Sequence, residues 1–594
     1  MGSGTLLRRP ESGGVAGMSG GGGKGAARLA GAAAVLGAGA LCGPVWAQTA
    51  PDAGSLQRQL RQEIPRLTPT SPTVAPEAPP SGPDNGRRVA VARFVVDGAT
   101  LVPASELEAL LRADVGRSLS FAELQAAAQK VAGHYRTRGY FARAYLPAQD
   151  VSDGAVHIAV IEGRFGRVLR TAGPTRADRD FVESVVAARL TPGAPYSVNA
   201  LERGLLLAGD LPGIAVRGTL KAGATPGASD LELTIEDEPF ATGRVGVGNF
   251  GVRSTGVYQA TAALSLNNGL GRGDQLQVQI AGAERLGYGA VAYSLPLGAD
   301  GWRAGIHVST LGYRLGGDFK DLDSDGAATT LGGDLSYPLV RGAAWTLRVR
   351  AGFDHGRYDD NSLGRPLRRK RIDKGALGLM GEAADDWGGG GFTTYAVTAT
   401  WGALDLSRLP MDKAQDAAGP RAAGGFSKFV VEGRRDQRLA RAPDLMLRGR
   451  IAGQWAFGNL DSSEQFSLGG PDGVRAYPVN EAAGDSGILG SLEVHGPIAE
   501  AWAAGLDGFA FVDAGLVRQH ADTWKAWNAG SNRPNSYSLF GAGFGLAWTL
   551  PDRTSVSFVV ACPIGSNRGA DQPNHNQDGG VTDPRAWLSI AKLF

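Results

Sequence analysis

"LMLRGRIAGQW", residues 445–455, decides the fold. Leu445, Leu447, Ile451 and Trp455 alternate with Met446, Arg448, Arg450 and Gln454, the period-two pattern of a strand with one apolar and one polar face. A soluble sandwich buries its apolar face in a shared core. A membrane barrel turns that face to lipid and the polar face to a wet lumen. Two arginines on one face of one strand favour the water-filled interior. The pattern recurs upstream. Leu276, Val278 and Ile280 oppose three Gln in "DQLQVQI", and Trp345, Leu347 and Val349 oppose Thr346, Arg348 and Arg350 in "WTLRVR".

About 16 such runs fall between Ala241 and Phe594, an even number as in bacterial outer-membrane barrels. Their connections alternate in length. Short ones are "LPLGADG", "LVRGA" and "WGGGG"; long ones are expected at 356–373, 403–423, 457–485, 517–536 and 563–584. Short periplasmic turns alternating with long outside loops characterise such barrels. A last strand with Trp587, Leu588, Ile590 and terminal Phe594 suits the closing position.

Composition agrees. Sixty Lys and Arg against 58 Asp and Glu give no basic bias toward nucleic acid. The 89 glycines follow no period of three, which excludes collagen and points to many turns and bent strands. Residues 1–47 read as an export signal: Lys24 and Arg28, an uncharged apolar run from Leu29 to Leu41, then Val45-Trp46-Ala47 as a cleavage site. That run is shorter than the roughly 20 residues of a spanning helix. Cleavage there leaves Cys562 alone, so no internal disulfide is expected.

The region 48–65 carries a short amphipathic helix, with Leu56, Leu60 and Ile64 four apart on one face. It is followed by a Pro-rich linker over 66–87, which is neither helix nor sheet. Such a helix is either a frayed terminus or a movable plug. Residues 88–164 and 165–238 then repeat one plan, β-α-α-β-β. The first copy has a capping box at Ser120–Glu123 ahead of Leu124, Ala127, Ala128 and Val131. Each copy suffices for a small two-layer α+β domain. Residues 239–594 are left for the barrel.

Several motifs fail in context. Gly246–Gly251 matches a dinucleotide fingerprint but no helix follows it. "DLDSDG" (321–326) lacks the closing Glu and the flanking helices of a calcium loop. The seven His show no metal spacing, and there is no phosphate loop or nucleophile elbow in the mature chain. No cofactor, metal or enzymatic activity is expected.

One segment is out of keeping with a solvated loop. "GGPDGVRAYPVNEAAGDSG" (469–487) has turn chemistry around an apolar-looking Val474-Arg475-Ala476-Tyr477. It sits in the sixth outside loop. Downstream, Phe511-Val512-Asp513-Ala514-Gly515 puts an acid on the same strand face as Phe509 and Phe511.

With these pieces in this order, the chain resembles the outer-membrane transporters of two-partner secretion (the haemolysin and haemagglutinin secretion type, TpsB). The resemblance covers the whole mature chain. It implies a mainly β protein: a 16-stranded antiparallel transmembrane barrel preceded by an N-terminal plug helix and two POTRA domains lying in the periplasm. It also implies a Val-Arg-Gly-Tyr loop motif, here Val474, Arg475, Ala476 and Tyr477, folded into the lumen onto a Phe-x-Asp-x-Gly strand motif, here Phe511, Asp513 and Gly515. Ala476 replaces the motif glycine, which bears on the backbone at the loop tip. The implied function is type V secretion. The POTRA domains would recognise an unfolded partner, a large exoprotein with a β-helical secretion domain, and the barrel would pass it to the surface without nucleotide hydrolysis. The other partner is outer-membrane lipid; no nucleic acid is involved, and a monomer is expected. The alternatives are a barrel-assembly insertase, expected to carry more POTRA domains and no plug, a POTRA-barrel surface hydrolase, which would need a nucleophile motif, and a passive porin, which would lack the repeats.

Overall fold

The computed structural model describes residues 50–63, 88–171, 173–225, 227–498, 504–529, 533–570, 575–581 and 584–594. The export signal, Ile64 and the Pro-rich linker lie outside them.

Sixteen antiparallel strands close into one barrel, from Ala241–Gly248 to Arg585–Leu593. The seam pairs Ser589–Leu593 with Gly248–Arg244. Phe594 and Gly243 extend it by exchanging both backbone bonds, at 3.0 and 2.9 Å. Closure is what lipid requires, because an open sheet edge there would leave N–H and C=O groups without partners. The alternation falls as the pattern demands: Leu445, Ile451 and Trp455 are exposed on the outside, while Gln454 is buried within. Among the described residues no helix is long and apolar enough to cross a membrane.

One expected loop is instead strand. Residues 356–373 belong to the hairpin Trp345–Ser362 and Arg365–Asp385, joined only by Leu363 and Gly364. Both turn residues have positive φ, 52° and 70°, as a tight hairpin turn needs. Their charged composition reads as loop, yet the ladder continues because ion pairs satisfy the charges across strands: Arg369–Asp359 at 3.2 Å and Arg371–Asp405 at 3.0 Å. The long loop after Asp405 also carries a helix of its own, Pro410–Ala418.

The first small module departs from β-α-α-β-β. "VAVARFVVDG" forms two strands. Arg88–Ala90 pairs with an unexpected strand, Ser118–Ser120, and Arg93–Asp97 pairs in parallel with Ala155–Glu162. The break comes where Val91 N–H turns to Arg117 O and Ala92 N–H to Gly154 O. The capping box forms, with Ser120 Oγ accepting from Glu123 N and Glu123 Oε2 from Ser120 N, and starts the helix Phe121–Thr137. The second module has the expected order: Arg164–Arg170, helices Arg179–Ala187 and Val198–Gly209, then Ile214–Ala222 and Ala228–Asp237. Its sheet order is first, third, second, which leaves Ile214–Ala222 at an edge.

This second module is held against the periplasmic turns of the barrel. Arg341 grips Asp210 through two 2.8 Å bonds. Arg203, buried, donates to Pro338 O and Asp300 O at 3.1 and 3.2 Å. Ala343 N donates to Glu202 at 2.6 Å. The approach is close enough that a Cβ on Gly301 of the barrel would lie 3.0 Å from the Leu207 side chain of the module. The module therefore sits at a set angle under the lumen. Removing one side of the Arg341–Asp210 pair leaves a buried charge, at a cost on the order of 3 kcal/mol. Asp210→Ala is expected to broaden the spin–spin distance distribution between labels at Ser184 and Asp386, measured by pulsed electron resonance in detergent. An unchanged distribution would mean that the pair does not set the angle.

Candidate functional site

The loop between the strands Ala442–Ala456 and Ser486–Pro497 spans residues 457–485 and folds into the barrel. Local bonds build its tip. Val474 N donates to Leu468 O at 2.7 Å and Tyr477 N to Val474 O at 3.0 Å. Gly473 and Gly469 are needed there, because a Cβ on either would strike a carbonyl at 2.0 or 2.2 Å. Val474, Ala476 and Tyr477 are wholly buried, and Arg475 is only 7% exposed.

Arg475 meets Asp513, which is 2% exposed, in a fork: Nε to Oδ2 at 2.9 Å and Nη2 to Oδ1 at 2.7 Å. Its backbone N–H adds a third bond to Oδ2 at 3.1 Å. Nη1 takes Glu493 at 2.7 Å, and Nη2 takes Ser491 Oγ at 2.9 Å. The guanidinium lies over Phe511, 3.5 Å from the ring centroid, and Trp587 Nε1 donates to Arg475 O at 2.8 Å. Only arginine offers planar forked donors in this arrangement; a lysine ammonium is a point charge without the parallel pair of N–H bonds that Asp513 accepts. Gly515 completes the strand motif by leaving room: a Cβ there would lie 2.6 Å from Leu468. Ala476 does not require the left-handed backbone that a motif glycine permits; positive φ in this loop falls on Gly470, Asn480 and Ala482. Its methyl group instead needs Gly541 opposite, where a second Cβ would come within 2.8 Å.

The helix Ala53–Glu63 occupies the lumen beside this loop. Leu56 and Leu60 are buried in a cluster with Tyr288, Leu311, Tyr313, Tyr358 and Ile372. Its N-terminus is fastened at the outer end, where Asp52 caps Ser55 N at 2.9 Å and meets Lys370 at 2.8 Å. Lys370 also holds Asp461 of the loop at 2.9 Å. Arg58 donates to Ser462 O and to Asn480 Oδ1, and Asn480 Nδ2 donates to Gln59 Oε1 at 3.1 Å. Helix and loop are thus tied to each other as well as to the wall. Glu464 anchors the loop between Lys374 and Lys428, at 2.6 and 2.9 Å. Burial opposes its ionisation, but the two ammonium groups outweigh that and hold its pKa down at about 2. Glu481 accepts from Asn567 and from Gln577 N, and burial pushes its pKa up to about 7.

Below the loop tip opens a cavity of about 650 Å³, lined by Arg434, Arg448, Arg450, Glu493, His495 and Phe509 among others. Charged groups run down its wall. Glu493 Oε2 meets His495 Nε2 at 2.7 Å, and Arg448 joins Asp436, which Arg434 also holds, at 2.8 and 2.6 Å. Glu493, Ser491, Lys370 and Asp461 were not singled out from sequence, and Trp587 only as a residue of the closing strand. Glu493 has a signal, since Ile488, Leu492 and Val494 alternate with Ser491, Glu493 and His495. Lys370 has none, because its partners lie 318 and 91 residues away.

A closed 16-stranded barrel with small α+β modules at its periplasmic end and a lumen filled by its own loop and helix defines the class of POTRA-bearing outer-membrane transporters. Residues 227–547 match the family described as haemolysin secretion/activation protein ShlB/FhaC/HecB, and residues 89–163 match the ShlB-type POTRA domain. The chain belongs to the ShlB/FhaC/HecB family. It is 26% identical over 567 residues to the heme/hemopexin transporter protein HuxB of Haemophilus influenzae, covering 92% of this chain and 95% of that one. It is 28% identical to the outer membrane transporter CdiB of Escherichia coli, covering 86% and 84%. The solved structure of CdiB from Escherichia coli superposes with a TM-score of 0.67 at 23% identity, over 92% of this chain and all of that one. CdiB from Acinetobacter baumannii gives 0.59 at 15% identity, over 91% and 96%. The protein is an outer-membrane transporter for secreted proteins, with its POTRA domains in the periplasm, and the members of its family are transporters.

The fork makes Arg475 and Asp513 one unit. Arg475→Ala and Asp513→Ala are each expected to lower secreted protein by roughly tenfold or more at matched transporter levels, and the double variant to fall little further. Arg475→Lys should recover only part of the loss. Strictly additive losses in this double-mutant cycle would show that the residues act separately.

Proposed function

We infer that this chain passes an unfolded exoprotein through the lumen after its own helix has left it. The observation that carries this reading is how the lumen is filled. Among the described residues the helix makes no backbone-to-backbone hydrogen bond with the barrel wall. Side chains hold it, so it can go without breaking the ladder that keeps the barrel in the membrane. The linker of about 22 residues behind it can reach roughly 70 Å if extended as polyproline, enough to let the helix swing into the periplasm.

Client capture falls to the POTRA sheets. Ile214–Ala222 and Ala142–Tyr145 are edge strands, and Thr219–Ala222 are exposed. An extended segment can add to such an edge through main-chain bonds that require no particular sequence, and a folded domain cannot. Arg475 and Asp513 hold the loop in its inward position during passage. The exoprotein is large, with a β-helical secretion domain; its folding outside supplies the drive, and one transporter chain suffices.

Deleting residues 50–66 is expected to raise single-channel conductance severalfold in planar bilayers while secretion persists. Unchanged conductance would show that the helix does not block the lumen. Full-length transporter in detergent is expected to bind the urea-unfolded secretion domain of its exoprotein, diluted out of denaturant, at least tenfold more tightly than the folded one, about 1.4 kcal/mol. Equal affinities by light-scattering interferometry would count against capture by strand addition.

A further inference from the structure

The outer face of the strand Trp345–Ser362 runs Trp345, Leu347, Val349, Ala351, Phe353 and then turns abruptly to His355, Arg357 and Asp359. At about 3.4 Å per residue and a tilt of about 40°, Trp345 to Phe353 covers roughly 21 Å of membrane thickness, close to the ~25 Å apolar band of such barrels. Phe353 and Trp401 both pair with Gly375, so they share one level, and both are exposed. They mark the outer limit of the hydrocarbon. His355 and Arg357 stand one and two outward positions above it, about 5 and 10 Å higher by the same rise and tilt, at the height of lipid headgroups.

Arg357 lies directly opposite Arg371 on the neighbouring strand. Like charges so placed repel, and while Asp405 pairs with Arg371, no carboxylate pairs with Arg357 among the described residues. Arg371 has Asp405 at 3.0 Å and Asp373 at 3.5 Å. Asp373 is already engaged by His355 Nδ1 at 2.6 Å. Arg357 Nε donates to His355 Nε2 at 3.2 Å, so the imidazole orients the guanidinium. Arg369 alongside is matched by Asp359. Arg357 is exposed, and it makes no ion pair among the described residues.

We propose that Arg357 and Arg371 bind a phosphate of lipid A in the outer leaflet. The outer leaflet of this membrane presents phosphorylated glucosamine headgroups at this height. A phosphate set between two guanidiniums on adjacent strands accepts from both and removes the repulsion between them. Phe353 and Trp401 lie beneath, where the acyl chains begin. Arg357, without a carboxylate partner among the described residues, leads the recognition, and Arg371 directly opposite shares it while keeping Asp405 at 3.0 Å. The site anchors the outer rim of the barrel on the side where strand Arg365–Asp385 also presents Lys370 to the plug helix.

The test is retention. Full-length transporter is mixed in detergent with bisphosphorylated lipid A, passed through gel filtration, and lipid per protein is measured by mass spectrometry. Wild type is expected to retain about one lipid A, and Arg357→Ala/Arg371→Ala at least tenfold less, while Arg435→Ala at the periplasmic rim retains as much as wild type. Dephosphorylated lipid A should not be retained, and inorganic phosphate at millimolar concentration should not displace the lipid. Equal retention by the double variant, equal retention of dephosphorylated lipid, or displacement by inorganic phosphate would each overturn the proposal. Heat-modifiable gel mobility reports folding; should the double variant fail it, Arg357→Gln, which removes an exposed group with no ion pair, is expected to lose retention severalfold, and retention equal to wild type would again overturn the proposal. Normal retention combined with lost secretion would assign the pair to the client rather than to lipid.

Discussion

Closure of the sheet is the constraint on which everything else depends. Lipid supplies no hydrogen-bond partners, so the strand ending at Phe594 must meet the strand beginning at Ala241, and the reciprocal bonds between Phe594 and Gly243 complete the ring. Once the ring is closed, one face of every strand belongs to lipid and the other to a lumen that lipid cannot enter. The lumen face is then free to be polar, and it is: Gln454, Arg448, Arg450, Lys370 and Asp513 all point there. A wall of that kind holds its contents by directed side-chain bonds rather than by burial of oil.

This explains why the two occupants of the lumen are fastened as they are. The helix buries Leu56 and Leu60, yet its position is set by Asp52, Gln57, Arg58 and Gln59. The loop reaches the wall through Arg475 at one end and Glu464 at the other. Water screens surface pairs to about 1 kcal/mol or less, whereas buried, multiply bonded ones cost several when broken singly. Arg475 is of the second kind, with five bonds from its backbone and guanidinium. Two further loop residues, Ser462 and Asn480, bond to the helix, so neither occupant moves without altering the other's partners.

Much of the barrel was legible because period two survives in any single strand: "LMLRGRIAGQW" states its two faces without reference to a neighbour. What depends on partners was not. Residues 356–373 read as loop because "RRKR" beside "DDNS" looks like solvated chain; only the cross-strand carboxylates show why the ladder continues. "VAVARFVVDG" gave no sign of breaking in two, since the break is caused by Arg117 and Gly154 from elsewhere in the module. In the lumen, Asp513 stood out through the phenylalanines around it. Lys370, one base in a basic run, did not, although it joins helix, loop and wall.

The methyl group of Ala476 occupies space that Gly541 leaves vacant. The two positions share a volume sufficient for one side chain, and in this chain the loop fills it. A route on which Ala476 arose before a glycine stood at 541 would cross an overpacked intermediate at the tightest point of the loop. In this chain the residue at one of these positions therefore constrains which substitutions the other can accept, and a side chain placed at 541 would fit only with glycine at 476.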